Sequence, residues 1–229
     1  AGGTAQPVPA DLRALVQRGL RLGVRTGGAF DITWAALWGL WDFRAEPPQP
    51  PPLGEVAARI ALVDFRQVEV DSQAGTVRLA RKGMKIGLGG IAKGWALDES
   101  AAALKRLGVR TFMMSAGGQV CVAGGRSGRP WRVGIRDPRG EAWDYFAVIS
   151  VTDGNVSTSG DYERFFIHKG HRYHHILDPA TGMPASGVRS ATVLAPTGTD
   201  ADALSTACMV MGRVKAMAMV ETDPGLEAV

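Results

Sequence analysis

Apolar positions recur at helical spacing near the start of the chain and alternate with polar ones through most of its second half. In "ADLRALVQRGLRLGVRTGG", Leu12, Leu15, Val16 and Leu20 fall on one face, and Gly27 and Gly28 close the pattern, which predicts an amphipathic helix. "LGEVAARIAL" predicts a second helix, and "QVEVDSQAGTVRLA" two strands around a glycine-containing turn. "MKIGLGGIAKGWALDESAAALKRLG" predicts a short strand, a glycine-rich turn and a helix stopped by Gly108. From residue 110 onward short apolar or alternating runs prevail: "RTFMMSAGGQVCVAGG", "WRVGIRD", "YFAVISV", "NVSTSG", "YERFFIHKGHRYHHIL" and "RSATVLA". Turn signals separate them, as in antiparallel pairing. "TDADALSTACMVMG" returns to helical spacing, with Thr199 or Asp200 as N-cap and Gly212 as stop. Helices before and after a run of strands predict an α+β fold, mostly antiparallel, in a single domain over residues 1–229.

Two stretches lie outside these periods. "FDITWAALWGLWDF" gathers three of the six tryptophans within eight residues, and "RAEPPQPPPLG" has five prolines in the six positions Pro47–Pro52. The proline run predicts an extended surface connection over 44–53.

Composition narrows the class. A chain of 229 residues that is 45% hydrophobic and 21% charged can bury a sizeable core. It contains no run of 18 apolar residues and no basic segment ahead of an apolar stretch, so neither a transmembrane segment nor a secretory signal is predicted. Processing would remove such a signal, which leaves export open. Cys121 and Cys208 lack metal-type spacing and predict two buried thiols. The net charge of +4 is unevenly placed: from Arg81 to Arg139 there are twelve Lys or Arg against three acids. That imbalance suits an anionic partner, although charge alone is explained as well by a solvated basic face, the more common outcome. Without interleaved aromatics it does not suit nucleic acid.

Four stretches could carry chemistry. In "GLGGIAKG" a glycine-rich turn, including Gly89 and Gly90, precedes a helix with Lys93 in its first turn. Backbone N–H groups there can accept phosphate, although tight strand-to-helix packing needs the same glycines. "TDADALSTA" puts Asp202 and Thr206 four apart on one helix face. They form a pair of hard oxygen donors suited to Mg²⁺, or else a dipole-balancing Asp and a Thr bonding back to the preceding turn. "HRYHHILD" holds three of the four histidines, and strand alternation sends His171, Tyr173 and His175 one way and His174 the other. If one histidine of the doublet works, the other is expected to pack, and the alternative is an ordinary strand followed by an Asp-Pro turn; zinc is not indicated. "VSTSGDYERFF" offers small hydroxyl residues before Tyr162, for a phosphate or for the turn itself.

Taken in order, "GGAFDITWAALWGLWDF", "GLGGIAKGWALD", "MMSAGGQV", "STSGDYERFF", "YHHILDPATGMPA" and "DADALSTACMVMG" resemble the ApbE family of FAD:protein FMN transferases. The resemblance implies an ApbE-like (T-fold-like) α+β architecture. It also implies Mg²⁺-dependent transfer of FMN from FAD to a Thr or Ser of an acceptor protein, with release of AMP. By the same resemblance His175 lies beside the pyrophosphate as base or proton relay. Asp202, Thr206 and the carbonyl of Ala92 hold Mg²⁺. Gly89, Gly90, Lys93, Asp98, Ser159, Gly160 and Tyr162 line the nucleotide cleft. The acceptor is expected to be a membrane-associated redox subunit, and the location periplasmic or the outer face of the bacterial inner membrane. An Mg²⁺-dependent FAD pyrophosphatase and a non-catalytic FAD-binding accessory protein are the alternatives. Family members begin with a further segment that includes side chains facing the isoalloxazine ring, and "PGLEAV" falls where a last strand begins. The chain is therefore expected to lack those strands and to leave sheet edges unpaired near residues 110–125 or 190–195.

Overall fold

The computed structural model describes residues 2–229. The chain forms two compact units: the residues up to Leu88 with Glu163–Ser186, and Gly89–Tyr162 with Gly187–Val229.

The first unit is built around α1 (Ala10–Arg25). The buried face of α1 is Leu15, Val16, Gly19, Leu22 and Gly23, while Leu12 is exposed and Leu20 half-buried. Two glycines replace the expected leucines because other elements press against the helix there. A Cβ on Gly19 would lie 2.6 Å from Ile32, and one on Gly23 would lie 2.9 Å from Phe65. The tryptophan-rich stretch forms a 3-10 helix, Ile32–Leu37, capped by Asp31, whose carboxylate accepts from Thr33 N and Oγ1 and from Phe65 N. Burial pushes the Asp31 carboxyl above its ordinary value despite those hydrogen bonds. Residues 44–52 carry neither helix nor strand and none is buried, as the prolines predict; α2 (Leu53–Ile60) follows.

β1 (Gln6–Pro7), β2 (Val68–Asp71) and β3 (Thr76–Leu79) make a three-stranded antiparallel sheet in the order β1-β3-β2. The strand expected at Met84 does not form. Gly87 N instead donates to Ile32 O, and Gly87 O accepts from Trp34 Nε1, so the 3-10 segment takes up the backbone groups a strand would need.

The second unit is a five-stranded antiparallel sheet in the order β12-β11-β8-β5-β4: β4 (Phe112–Ala116), β5 (Gln119–Ala123), β8 (Gly154–Gly160), β11 (Ser190–Ala195) and β12 (Glu227–Ala228). Alternation along β5 decides its layers. Cys121 and Ala123 pack with Leu97 and Ala101 of α3 (Ala92–Arg106). Val120 and Val122 pack with Val133, Ile149 and Val151 of the antiparallel pair β6 (Trp131–Arg136) and β7 (Tyr145–Val151). Helices thus cover one face of the sheet and a two-stranded ribbon the other. β4 is an edge strand, whereas β11 pairs with β8 along its length and with β12 at Val193 and Leu194. An unpaired edge therefore falls in only one of the two expected places.

α4 (Gly198–Glu221) starts a few residues earlier than predicted, capped by Thr197 rather than Thr199 or Asp200, with Thr197 Oγ1 accepting from Asp200 N. Its geometry breaks at Gly212 (φ 74°) as expected, but helix resumes to Glu221. Among the described residues it is the one helix apolar and long enough to cross a membrane; the run from Ala201 to Ser205 is buried against the sheet.

Candidate functional site

In the second unit α3 and the start of α4 approach so closely that only glycine fits between them. A Cβ on Gly94 would lie 2.0 Å from the carbonyl oxygen of Gly198 and 2.7 Å from Thr199 N. Both helix beginnings are tied by carboxylates. Asp98 of α3 accepts from Gly198 N at 2.7 Å, Thr199 N at 2.8 Å and Thr199 Oγ1 at 2.5 Å. It thereby meets the unsatisfied N–H groups of α4 with a negative charge at the positive end of the helix. In return, Asp202 of α4 accepts from Gly94 N at 3.2 Å.

Asp202 is nearly inaccessible, with 3% of its side chain exposed. Lys93 Nζ donates to its Oδ1 at 3.1 Å and Oδ2 at 3.4 Å, and to Gly89 O at 3.2 Å. The lysine stem runs over Gly117 (φ 53°), where a Cβ would come within 2.9 Å of Lys93 Cδ. A run of hydroxyls joins β8 to α4 and meets Asp202 at its backbone carbonyl. Ser159 Oγ lies 2.9 Å from Ser205 Oγ and 3.2 Å from Thr206 Oγ1, and Ser157 Oγ lies 3.2 Å from Ser205 Oγ. Ser205 and Thr206 donate back to Asp202 O, so the Thr back-bond weighed from the sequence is present alongside the side-chain cluster.

The predicted residues of this unit divide accordingly. Lys93, Asp202, Thr206, Ser159 and Gly89 fall into one connected network, and Ala92 opens α3 next to Lys93. Asp98 is committed to holding α4. Gly160 ends β8 because a Cβ there would strike the Tyr162 ring at 2.3 Å, and that ring carries the Arg136 guanidinium 4.6 Å from its centroid. Gly90 lies in the turn before α3. Ser205 and Gly94 were not singled out as site residues from the sequence, and Ser157 entered only as one of the small hydroxyl residues of "VSTSGDYERFF". Ser205 was legible, being three residues after Asp202, but Gly94 and Ser157 acquire their roles only from partners about a hundred and about fifty positions away.

The three atoms expected to hold Mg²⁺, on Asp202, Thr206 and the carbonyl of Ala92, are all hard oxygens, the donor type that Mg²⁺ takes together with phosphate and water. Among the described residues no group of three or more His, Cys, Asp or Glu side chains could hold a metal by itself. A cavity of about 500 Å³ lines α3 from Asp98 to Lys105 and reaches Phe112, Cys121 and Asn155. Lys93, Asp202 and Thr206 are not among its lining residues, so this cavity is not where the polar network lies.

The histidines belong to the first unit. β9 (Phe165–His168) and β10 (His171–His174) form a hairpin in which Tyr173 stacks with both Phe166 and Trp41, and Trp41 Nε1 donates to Gly182 O. His174 is the packed member of the doublet. It is 3% exposed, its Nε2–H donates to Ala185 O at 2.8 Å, and Nδ1 accepts from Ile176 N. His175 follows the strand, half-buried, its backbone N–H on Arg164 O. Asp178 shapes the following turn by accepting from Ala180 N and Thr181 Oγ1.

An antiparallel sheet backed by two helices, with an Asp–Lys pair where the helices cross, has the fold of solved flavin transferases. The ApbE protein of Thermotoga maritima matches over 99% of this chain and 74% of its own at a TM-score of 0.91 and 38% identity. The flavin transferase ApbE of Vibrio cholerae matches over 99% and 72% at a TM-score of 0.87 and 32% identity. The chain belongs to the ApbE family, whose model matches residues 1–229. Among curated relatives, the FAD:protein FMN transferase of Treponema pallidum is 40% identical over 246 residues, covering 100% of this chain and 67% of that protein. The Rhodobacter capsulatus protein of the same name is 37% identical over 93% of this chain, which spans 40% of its length.

Proposed function

We propose that this chain carries out FMN transfer from FAD to a Thr or Ser hydroxyl of an acceptor protein, releasing AMP. The observation that carries the reading is the buried Asp202, whose carboxylate accepts from Lys93 and whose backbone oxygen accepts from Thr206, itself bonded to Ser159, on a fold shared with relatives named FAD:protein FMN transferase. Asp202, Thr206 and Ala92 O would hold Mg²⁺, which when bound neutralises charge developing on the pyrophosphate. The N–H groups of the Gly89–Gly90 turn and the start of α3 bind phosphate oxygens, and the Lys93 ammonium adds a positive charge. The acceptor oxygen bonds to the FMN-side phosphorus as the bond from that phosphorus to the bridging oxygen breaks. AMP leaves with the electron pair, and His175 takes the hydroxyl proton. Asp98 acts through position, holding the first turn of α4 and with it Asp202.

The acceptor on this reading is a membrane-associated redox subunit met in the periplasm or at the outer face of the inner membrane, a setting supported by the family resemblance alone. The test is incubation with FAD, Mg²⁺ and a flavin-acceptor domain, followed by measurement of AMP and of acceptor mass. Equal amounts of AMP and FMN-modified acceptor support transfer. AMP without a mass gain means that water is the acceptor and the chain is a pyrophosphatase; neither product means a binding protein.

A further inference from the structure

Lys93 occupies the carboxylate that the proposed function reserves for a cation. Its ammonium reaches both oxygens of Asp202, and Asp202 has no comparable access to water, its side chain being 3% exposed against 40% for Lys93. A carboxylate buried to that degree is costly without a positive partner, and in this structure Lys93 supplies one. The second donor, Gly94 N, is fixed in the backbone of α3 and stays in every state. The lysine is different in kind. Its stem is flexible, lies across a glycine rather than under a side chain, and ends partly in solvent, with Gly89 O as its other acceptor. A divalent cation and an ammonium cannot share two oxygens at such distances without strong like-charge repulsion.

We infer that Lys93 is a resident counter-ion exchanged for the divalent cation. It holds Asp202 when the site lacks a divalent ion and swings off the carboxylate when one binds, freeing its charge for the phosphates. The inference rests on the reading of Asp202 as a metal ligand, and it makes Lys93 a competitor of the metal as well as a contributor to substrate binding.

Mn²⁺ serves as the probe, in the absence of nucleotide. Its affinity is measured by electron paramagnetic resonance for the unaltered chain, Lys93→Met and Asp202→Asn. Lys93→Met should bind Mn²⁺ about tenfold more tightly, as expected for losing one partly exposed like charge next to the ion, and Asp202→Asn should not bind it there. In the unaltered chain, acylation of the Lys93 amine, read by peptide mass spectrometry, should rise when Mn²⁺ is added. This second measurement needs no variant and is not moved by a purely structural lysine. Equal affinity in Lys93→Met, or Lys93 labelling indifferent to Mn²⁺, overturns the exchange while leaving Asp202 as ligand. Binding that survives Asp202→Asn, or no binding in any of the three proteins, overturns the exchange together with the metal reading.

Discussion

Replacing Gly94 with alanine tests the helix crossing on which the site is built. In a free helix Gly→Ala stabilises by about 0.8–1 kcal/mol. Here the added methyl would sit 2.0 Å from Gly198 O and 2.3 Å from its carbon, both backbone atoms that cannot rotate away. Ordinary contact requires well over 1 Å more, so the start of α4 has to retreat from α3. Forcing a methyl into a packed contact costs about 1–3 kcal/mol. The retreat also stretches the hydrogen bonds that join the two helices through charged groups, Gly94 N to Asp202 and Gly198 N and Thr199 N to Asp98, each worth about 1.5–3 kcal/mol if broken outright. With only part of that bonding lost and the helix propensity gained, the net destabilisation is about 2–4 kcal/mol, or about 5–15 °C in Tm for a chain of this size. Urea unfolding followed by tryptophan fluorescence measures it. Gly89→Ala is the control, because nothing lies within 4 Å of its Cβ and its φ is not positive. A Gly94→Ala chain as stable as the parent, or more so, would refute the close approach of α3 and α4, since the sign is opposite to that of an unobstructed helix.

Asp202→Ala should remain folded yet lose Mg²⁺-dependent AMP release, assayed by chromatography of the nucleotides; near-normal release would take Asp202 out of the metal site. His175→Ala should keep FAD affinity and slow transfer by about 10²- to 10⁴-fold, separated by comparing an equilibrium titration with single-turnover rates; parallel losses in both would assign His175 to positioning. Cys208, whose thiol burial pushes up to about 11, and Cys121, raised chiefly by burial as well, should both resist a thiol-specific reagent at pH 8 in the native chain and react on unfolding.

What depends on neighbours along the chain was legible from the residues themselves. The short apolar runs "QVCVA" and "RSATVLA", bounded by turn signals, sufficed for strands, because a strand covered on both faces reads as a nearly continuous apolar stretch rather than an alternating one. The gap of four between Asp202 and Thr206 put both on one turn of α4, and the histidine doublet had to split, as His174 does by packing against Ala185 O. The ordered motifs pointed to the family and to Asp202, Lys93, Ser159 and Thr206 as members of one site. What depends on neighbours across the chain was not legible. Leu12 and Leu20 have the periodicity of a core face, yet Gly19 and Gly23 are buried in their place because Ile32 and Phe65 press close. Met84 lies in a segment with the pattern of a strand, but a backbone becomes a strand only when another offers it hydrogen bonds, and the 3-10 segment claimed those of Gly87 first. Asp98 lies in a nucleotide-contacting stretch by motif, while its oxygens cap a helix that begins a hundred residues later. Lys93 and Asp202 stand 109 positions apart. Periodicity and capping are properties of adjacent residues; which distant donor reaches a given acceptor is set by how the helices and sheet pack.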